Sequence, residues 1–394
     1  MKFLLHRLVL ATTLTSMLIA ADPRLAGITA ALQPALAEKE IAGAVTLVFS
    51  REKILHVETH GFADVAAQRP MTGDTMFNIM SMTKLMTATA VLMLQDEGKL
   101  HLTDPVAKYI PAFATLKTPS GQPANITLRH ILTHVSGLGE ASAAAARDAR
   151  TLADLVPLWL AAPMQNEPGV TWRYCQSGIN TAARIVEIVS GKTFDEFLHT
   201  RLFVPLGLKH TTYYPSAEHL PLLATAYTKN KTTGALEAVL TTPPARGTRP
   251  PTGNAGLYSS AYDYARFCQM LLMGGTLDGK RYLTSASMQL LTTSQTPATM
   301  PTGFFQNETY GQRGLNYGWG IGTCVLKTPH AGVTAMLSPG SYGHGGAWGT
   351  QAWIDPVRGV AYILMVQRTN FPNSDASDVR RAFQQAAADA IAAK

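Results

Sequence analysis

Cysteine is scarce in this chain and falls into no pattern. Cys175, Cys268 and Cys324 are the three cysteines in 394 residues. They are an odd number at long spacings, with no C-x-x-C and no Cys/His ligand spacing. That argues against a disulfide framework and a zinc site, and leaves three small buried hydrophobes kept reduced. Charge is thin as well, at 15% of residues, and the lysines and arginines are scattered singly. A formal net charge of +7 spread this way gives nucleic acid no footprint. Inside the body of the chain no uncharged apolar run reaches the ~18 residues of a membrane-spanning helix, so stable insertion of the mature chain is not expected. There is no internal repeat and no low-complexity linker.

What the chain does have begins at its N-terminus. Lys2 and Arg7 precede an uncharged, mostly apolar run from Leu8 to Ala21, followed by Asp22-Pro23. This is the layout of a signal peptide over residues 1–21, and it implies an exported protein, periplasmic or secreted. The residue at −3 of the cleavage site is a bulky Leu or Ile, so an uncleaved anchor or an ordinary first helix is the alternative. Residues 22–394, with 46% hydrophobic residues in the full chain, are read as one domain with ample core.

Asp22 to Glu40 carries a helical stripe of Leu25, Ile28, Leu32 and Leu36. Gly43 to Ser50 reads as a buried strand and Lys53 to Thr59 as its hairpin partner. Helices are expected from Phe77 to Gly98, after Gln176 to Ser190, and over Ala261 to Met273. Residues 210–255, rich in Thr, Pro and Gly, read as a long loop bordering a site. Strand signals return over Tyr317 to Leu326, Thr350 to Ile354 and Val360 to Gln367, and Ser377 to Ala392 is a closing helix. Strands near both ends with helices between them predict an α+β fold, an α/β sandwich. Its antiparallel sheet is built from the N- and C-terminal segments and flanked by helices, and a mostly helical region is inserted at roughly 99–260.

Two tetrapeptides have serine and lysine three residues apart: Ser50-Arg-Glu-Lys53 and Ser81-Met-Thr-Lys84. The first falls in an exposed hairpin turn. The second stands at the entrance of a buried helix, where i and i+3 share a face and the N-terminal N–H groups favour an oxyanion. A lysine in so apolar a stretch loses proton affinity by desolvation and becomes a usable base for a serine nucleophile. His130 and His134 stand at i, i+4, but the H-E-x-x-H glutamate is missing between them. They read as packing or hydrogen-bonding residues, and no metal site is expected.

Phe77 to Phe113, Thr127 to Leu138, Gly253 to Phe267 and Tyr342 to Pro356, in this order, resemble the serine β-lactamase-related family. That family includes class C β-lactamases, family VIII carboxylesterases, D-stereospecific peptidases and amidases, and related acyltransferases; S-x-x-K is its acylation motif. The resemblance implies a β-lactamase/transpeptidase-like fold with Ser81 as nucleophile. Tyr174-Cys175-Gln176, after Pro168-Gly169 and before a helix, takes the place of the family's Y-x-N, which makes Tyr174 the partner of Lys84 in proton transfer. Tyr310-Gly-Gln312 matches the tripeptide but lacks those flanks. Gln176 is one methylene longer than the usual Asn. His344-Gly345-Gly346 takes the place of K-T-G, and the resemblance implies an oxyanion hole from the N–H groups of Ser81 and Ala347.

A mostly uncharged histidine in place of that lysine turns the expectation from β-lactams towards an ester or amide. The two glycines would let backbone approach a ligand, and Trp348 and Tyr342 are expected to line the pocket. The function expected is therefore an exported serine hydrolase with an acyl-enzyme on Ser81, carboxylesterase-like and without cofactor. Its substrate would be a small ester, amide or peptide-like molecule. A β-lactamase or D-amino-acid peptidase, an acyltransferase and a non-catalytic binding protein of the same fold remain alternatives.

Overall fold

The computed structural model describes residues 23–302 and 311–392; the signal-peptide expectation and Tyr310 lie outside them. In chain order the elements that frame the site are α1 (Gly27–Ala37), β1 (Gly43–Ser50), β2 (Ile54–Asp64) and β3 (Arg69–Pro70). Then come α2 (Thr83–Asp96), α3 (Leu128–Leu132), α4 (Leu152–Ala161), α5 (Gln176–Ser190) and α6 (Ala261–Leu272). The chain closes with β4 (Tyr317–Trp319), β5 (Cys324–Leu326), β6 (Tyr342–Gly345), β7 (Gln351–Asp355), β8 (Val360–Met365) and α7 (Asp378–Ala392). The strands form one eight-stranded sheet in the order β4-β5-β6-β7-β8-β1-β2-β3, with antiparallel neighbours throughout. The first and last parts of the chain meet where β1 pairs β8, Val45 opposite Met365 and Val48 opposite Tyr362.

Both faces of this sheet are covered, which is why its central strands read as continuous apolar runs. Ala44, Val48, Tyr362 and Leu364 face Ile28 and Leu32 of α1 and Phe383 of α7 in one cluster. The alternate residues Val45, Leu47, Phe49, Ala361 and Ile363 belong to a second cluster with α2 and α6. The period of two along each strand makes that division. The architecture is α+β, helices on both sides of an antiparallel sheet. Every residue of α2 from Thr83 to Leu94 is buried, so the helix is walled on all sides. Its threonine hydroxyls are satisfied inside the protein, with Thr87 Oγ1 donating to the Gly253 carbonyl at 2.7 Å.

The structure shifts several boundaries. The first helical stretch is a 3-10 turn, Pro23–Ala26, followed by α1. The second strand runs on to Asp64. The segment expected as one strand over 317–326 is a hairpin of β4 and β5. Its turn requires Gly322, which takes φ +72° and lies so close to Ala88 of α2 that a Cβ there would clash. Residues 210–255 contain a small hairpin, Ala226–Lys229 paired with Leu236–Val239. The alanine-rich stretch after Glu140 forms turns. Among the described residues no helix is long and apolar enough to cross a membrane.

Candidate active site

Ser81 lies not in α2 itself but in the 3-10 turn Met80–Met82 that leads into it. Met80 takes φ +48°, a left-handed conformation that costs a non-glycine residue energy and persists where the surroundings fix it. The side chain of Asn78 accepts the Met80 N–H at 3.1 Å and helps to hold the bend. Three residues on, Lys84 is fully buried, and its Nζ lies 3.0 Å from Ser81 Oγ and 2.8 Å from the Asn254 carbonyl. Burial pulls the amine down to about 7, while the negative charges of Glu140 and Asp375 and the Cys175 side chain act in the opposite sense. Near neutrality a large share of Lys84 is therefore uncharged and able to accept a proton.

Tyr174 enters from the other side. Its ring lies beneath Lys84, with Nζ 4.7 Å from the centroid. The phenol is held well above its ordinary pKa, chiefly by burial, against a hydrogen bond with Ser81 that acts the other way. It is a neutral phenol in the resting site. His344, on β6, is fully buried and held down to about 3 by burial and by Lys84. His344 Nδ1 lies 2.7 Å from the Gly345 carbonyl, which only accepts, so the ring proton is assigned to Nδ1. Nε2 is then an acceptor, and the Tyr174 hydroxyl at 3.2 Å donates to it. That leaves the phenol's lone pairs for Ser81.

The two histidines of the 130–134 segment separate. His130 caps α3, its Nδ1 accepting the Thr127 N–H at 3.3 Å. His134 accepts the Cys175 N–H at 3.0 Å and packs against the Tyr174 ring at 4.6 Å between centroids. It thereby fixes the backbone and the ring of the catalytic candidate.

Other predicted site residues are placed less simply. Gln176 does not reach Lys84; its Oε1 accepts from Asn254 Nδ2 at 3.0 Å. Asn254, which motif reading passed over, is thus the hub. Its N–H donates to Asn180 Oδ1 at 3.0 Å, its side chain meets Gln176, and its carbonyl holds Lys84. The signal was present in the segment Gly253-Asn-Ala-Gly256, but nothing local shows that a backbone carbonyl would be the useful group. Gly345 and Gly346 are small because protein fills the space behind them. A Cβ on the first would overlap Asp375 and Gln351, and one on the second would overlap Thr350 and the Ile79 carbonyl. Ligand approach is not what requires them.

The turn after Gly346 closes with Gly349 N–H to the Gly346 carbonyl at 3.0 Å and holds Ala347 exposed. Thr350 Oγ1, bonded to the Ile79 carbonyl at 3.2 Å, ties this turn to the segment just before Ser81. Trp348 is half-buried on a cavity wall. Tyr342 is not on that wall: it is 2% exposed and packs in the core near Cys268 of α6. It stands two residues before His344 on β6. All three cysteines are buried and unpaired.

A cavity of about 1050 Å³ opens beside these groups. Met80, Gln176, Asn254 and Trp348 line it next to the polar cluster, and Tyr213 and Leu240 lie on its apolar wall. Leu240 belongs to the 210–255 segment and is fully exposed.

A half-buried serine against a buried lysine, a tyrosine ring packed on that lysine and a glycine-rich strand make up the site. The Beta-lactamase family model matches residues 28–387. The chain belongs to the β-lactamase family. Protein Rv1367c of Mycobacterium tuberculosis is 32% identical over 351 residues, covering 83% of this chain and 86% of that one. Esterase EstB of Burkholderia gladioli is 26% identical over 375 residues, covering 86% and 89%. Among solved structures, EstCE1, described as a hydrolase with promiscuous acyltransferase activity, superposes with a TM-score of 0.75. It is 23% identical and covers 92% of this chain and 98% of its own, a likeness of fold. The family is one of serine hydrolases that include esterases and peptidases.

Proposed function

We propose that this protein is an exported serine hydrolase that cleaves an ester or amide, carboxylesterase-like, through an acyl-enzyme on Ser81. The observation that carries the reading is the 3.0 Å contact between Ser81 Oγ and a buried Lys84 drawn down to about 7. Lys84 in its neutral form takes the Ser81 proton as Oγ bonds to the substrate carbonyl carbon. The carbonyl π pair moves onto oxygen, and the N–H groups of Ser81 and Ala347 receive the oxyanion. Such a donor commonly contributes about 3–4 kcal/mol. As the intermediate collapses, the Tyr174 hydroxyl turns from His344 to give its proton to the departing oxygen or nitrogen, and the Lys84 ammonium reprotonates it. Water then attacks the acyl-enzyme with the same groups in the same roles, and Ser81 recovers its proton.

The esterase-like reading draws on a second observation. His344 stands where a penicillin-recognising relative has lysine, and it is neutral at every pH near 7. It offers no charge to a substrate carboxylate. EstB is an esterase by name and matches most of the chain, which supports the same direction. Export rests on the layout of residues 1–21.

The test is a panel of short-chain p-nitrophenyl esters, D-amino-acid amides and nitrocefin on purified protein, with Ser81→Ala as control. Ester turnover with a burst of first product, and covalent labelling by a fluorophosphonate probe that the Ser81→Ala protein lacks, are expected. Equal turnover by Ser81→Ala would remove the nucleophile assignment. Preference for nitrocefin would replace the esterase reading by a β-lactamase one. Preference for an added alcohol over water would replace it by an acyltransferase.

A further inference from the structure

Glu140 belongs to no motif and is exposed, yet its carboxylate is fixed beside the site. Gly137 takes φ +72° and lies against the Asn166 carbonyl, and Gly139 lies against the Pro163 carbonyl, so this stretch is pressed onto residues 163–166. Glu140 then extends to the start of α5, two residues after Tyr174. There it accepts the Gln176 N–H, the Ser177 N–H at 2.9 Å and Ser177 Oγ at 2.7 Å. It lies on the wall of the cavity, and its charge acts on Lys84, Tyr174 and Cys175.

Two places beside Ser81 would suit a substrate anion, and both are closed. The start of α5, with its free N–H groups, already holds the Glu140 carboxylate. The β6 position nearest Tyr174 carries a histidine whose two ring nitrogens are engaged by Gly345 and Tyr174. An anion placed at the start of α5 would meet a carboxylate, the kind of repulsive element by which a site rejects a wrong partner, and one placed at the β6 position would meet no positive charge. Arg147 and Arg249 line the same cavity as Glu140, and all three side chains are exposed, so solvent and salt screen each of them; Glu140 is fixed in place at the start of α5 by three hydrogen bonds.

We propose that Glu140 sets the charge of the substrate, admitting neutral or cationic acyl compounds and rejecting those with a carboxylate beside the scissile bond. This rests on the serine-hydrolase reading above. It narrows the substrate class to uncharged or amine-bearing esters and amides, and it makes Glu140 a specificity-determining residue.

The experiment compares kcat/KM for three phenyl acetates that differ at one meta position: trimethylammonio, its neutral isostere tert-butyl, and carboxylate. The same three groups are then placed on the acyl half, as phenyl esters of the corresponding benzoic acids. In at least one half the carboxylate should fall roughly tenfold or more below the neutral isostere, with the cation at or above it. In Glu140→Gln the anion-to-neutral ratio in that half should rise at least about threefold. A ratio cancels any common loss from a loosened α5. Raising salt to about 0.5 M should lift the same ratio in the wild-type protein, which decides the matter even if Glu140→Gln folds poorly. A ratio unchanged by the substitution and by salt in both halves, or a wild-type preference for the carboxylate, overturns the proposal. Ester turnover no higher than in Ser81→Ala overturns the hydrolase reading, and this one with it.

Discussion

The Tyr174 hydroxyl stands 3.2 Å from His344 Nε2, and the other nitrogen of that ring is committed to the Gly345 carbonyl. In the resting site the phenol therefore has one direction for its proton and another for its lone pairs. His344 sets the orientation of a proton it never has to carry, since burial and Lys84 keep its own pKa near 3.

If that orientation matters, the two residues act as a unit. Tyr174→Phe and His344→Phe should each lower kcat/KM on a neutral ester by about 10–100-fold. The double variant should be little worse than Tyr174→Phe alone, giving a coupling of roughly 1–3 kcal/mol in a double-mutant cycle. Strict additivity would show that His344 works independently of the phenol.

Lys84→Met keeps the length and the apolar stem but removes the base. Turnover should fall by on the order of 10²–10⁴. The melting temperature should hold or rise, because a buried amine whose charged form is costly has been replaced by a thioether. Loss of activity together with a collapse in thermal stability would point to a structural role instead.

The pH dependence follows from the same amine. Lys84 accepts a proton only when neutral, so kcat/KM should be lost as pH falls through about 7 and should level off above it. Below that point the expected slope is about tenfold per pH unit. His344 does not titrate in this range, and Tyr174 is pushed above its ordinary range, so neither should add a limb near neutrality. A profile flat from about pH 5 to 9 would contradict Lys84 as the base.

Gly345→Ala tests the packing behind the strand. The added methyl falls on Asp375 and Gln351, and Gln351 Nε2 donates to Asp375 Oδ1 at 3.0 Å. Neither side chain is free to withdraw. A destabilisation of about 1–3 kcal/mol is expected from such overpacking, read from the denaturant midpoint. Asp375→Ala in the same chain should relieve part of it.

The sequence by itself determined the periodic, locally written parts of this protein. Alternating and continuous apolar runs marked β1, β7 and β8, because strands buried on both faces need them. The spacing of Ser81 and Lys84 put both side chains on one side of a turn, and the chain order of Ser81, Tyr174 and His344 carried the family. What the sequence could not decide is everything that depends on an atom arriving from far along the chain. The Asn254 carbonyl that holds Lys84 comes from 170 residues away, and a backbone oxygen has no residue type to betray it. Gln176 took the place of the family's Asn with one methylene more, and Tyr342 looked like a pocket wall by adjacency; the fold gave the first to Asn254 and the second to the core over α6. Glu140 is one glutamate among many until the fold carries its carboxylate to the start of α5. Only the tertiary structure decided these, because long-range contacts and the burial they produce, not the local pattern, fix hydrogen-bond partners and proton affinities in this site.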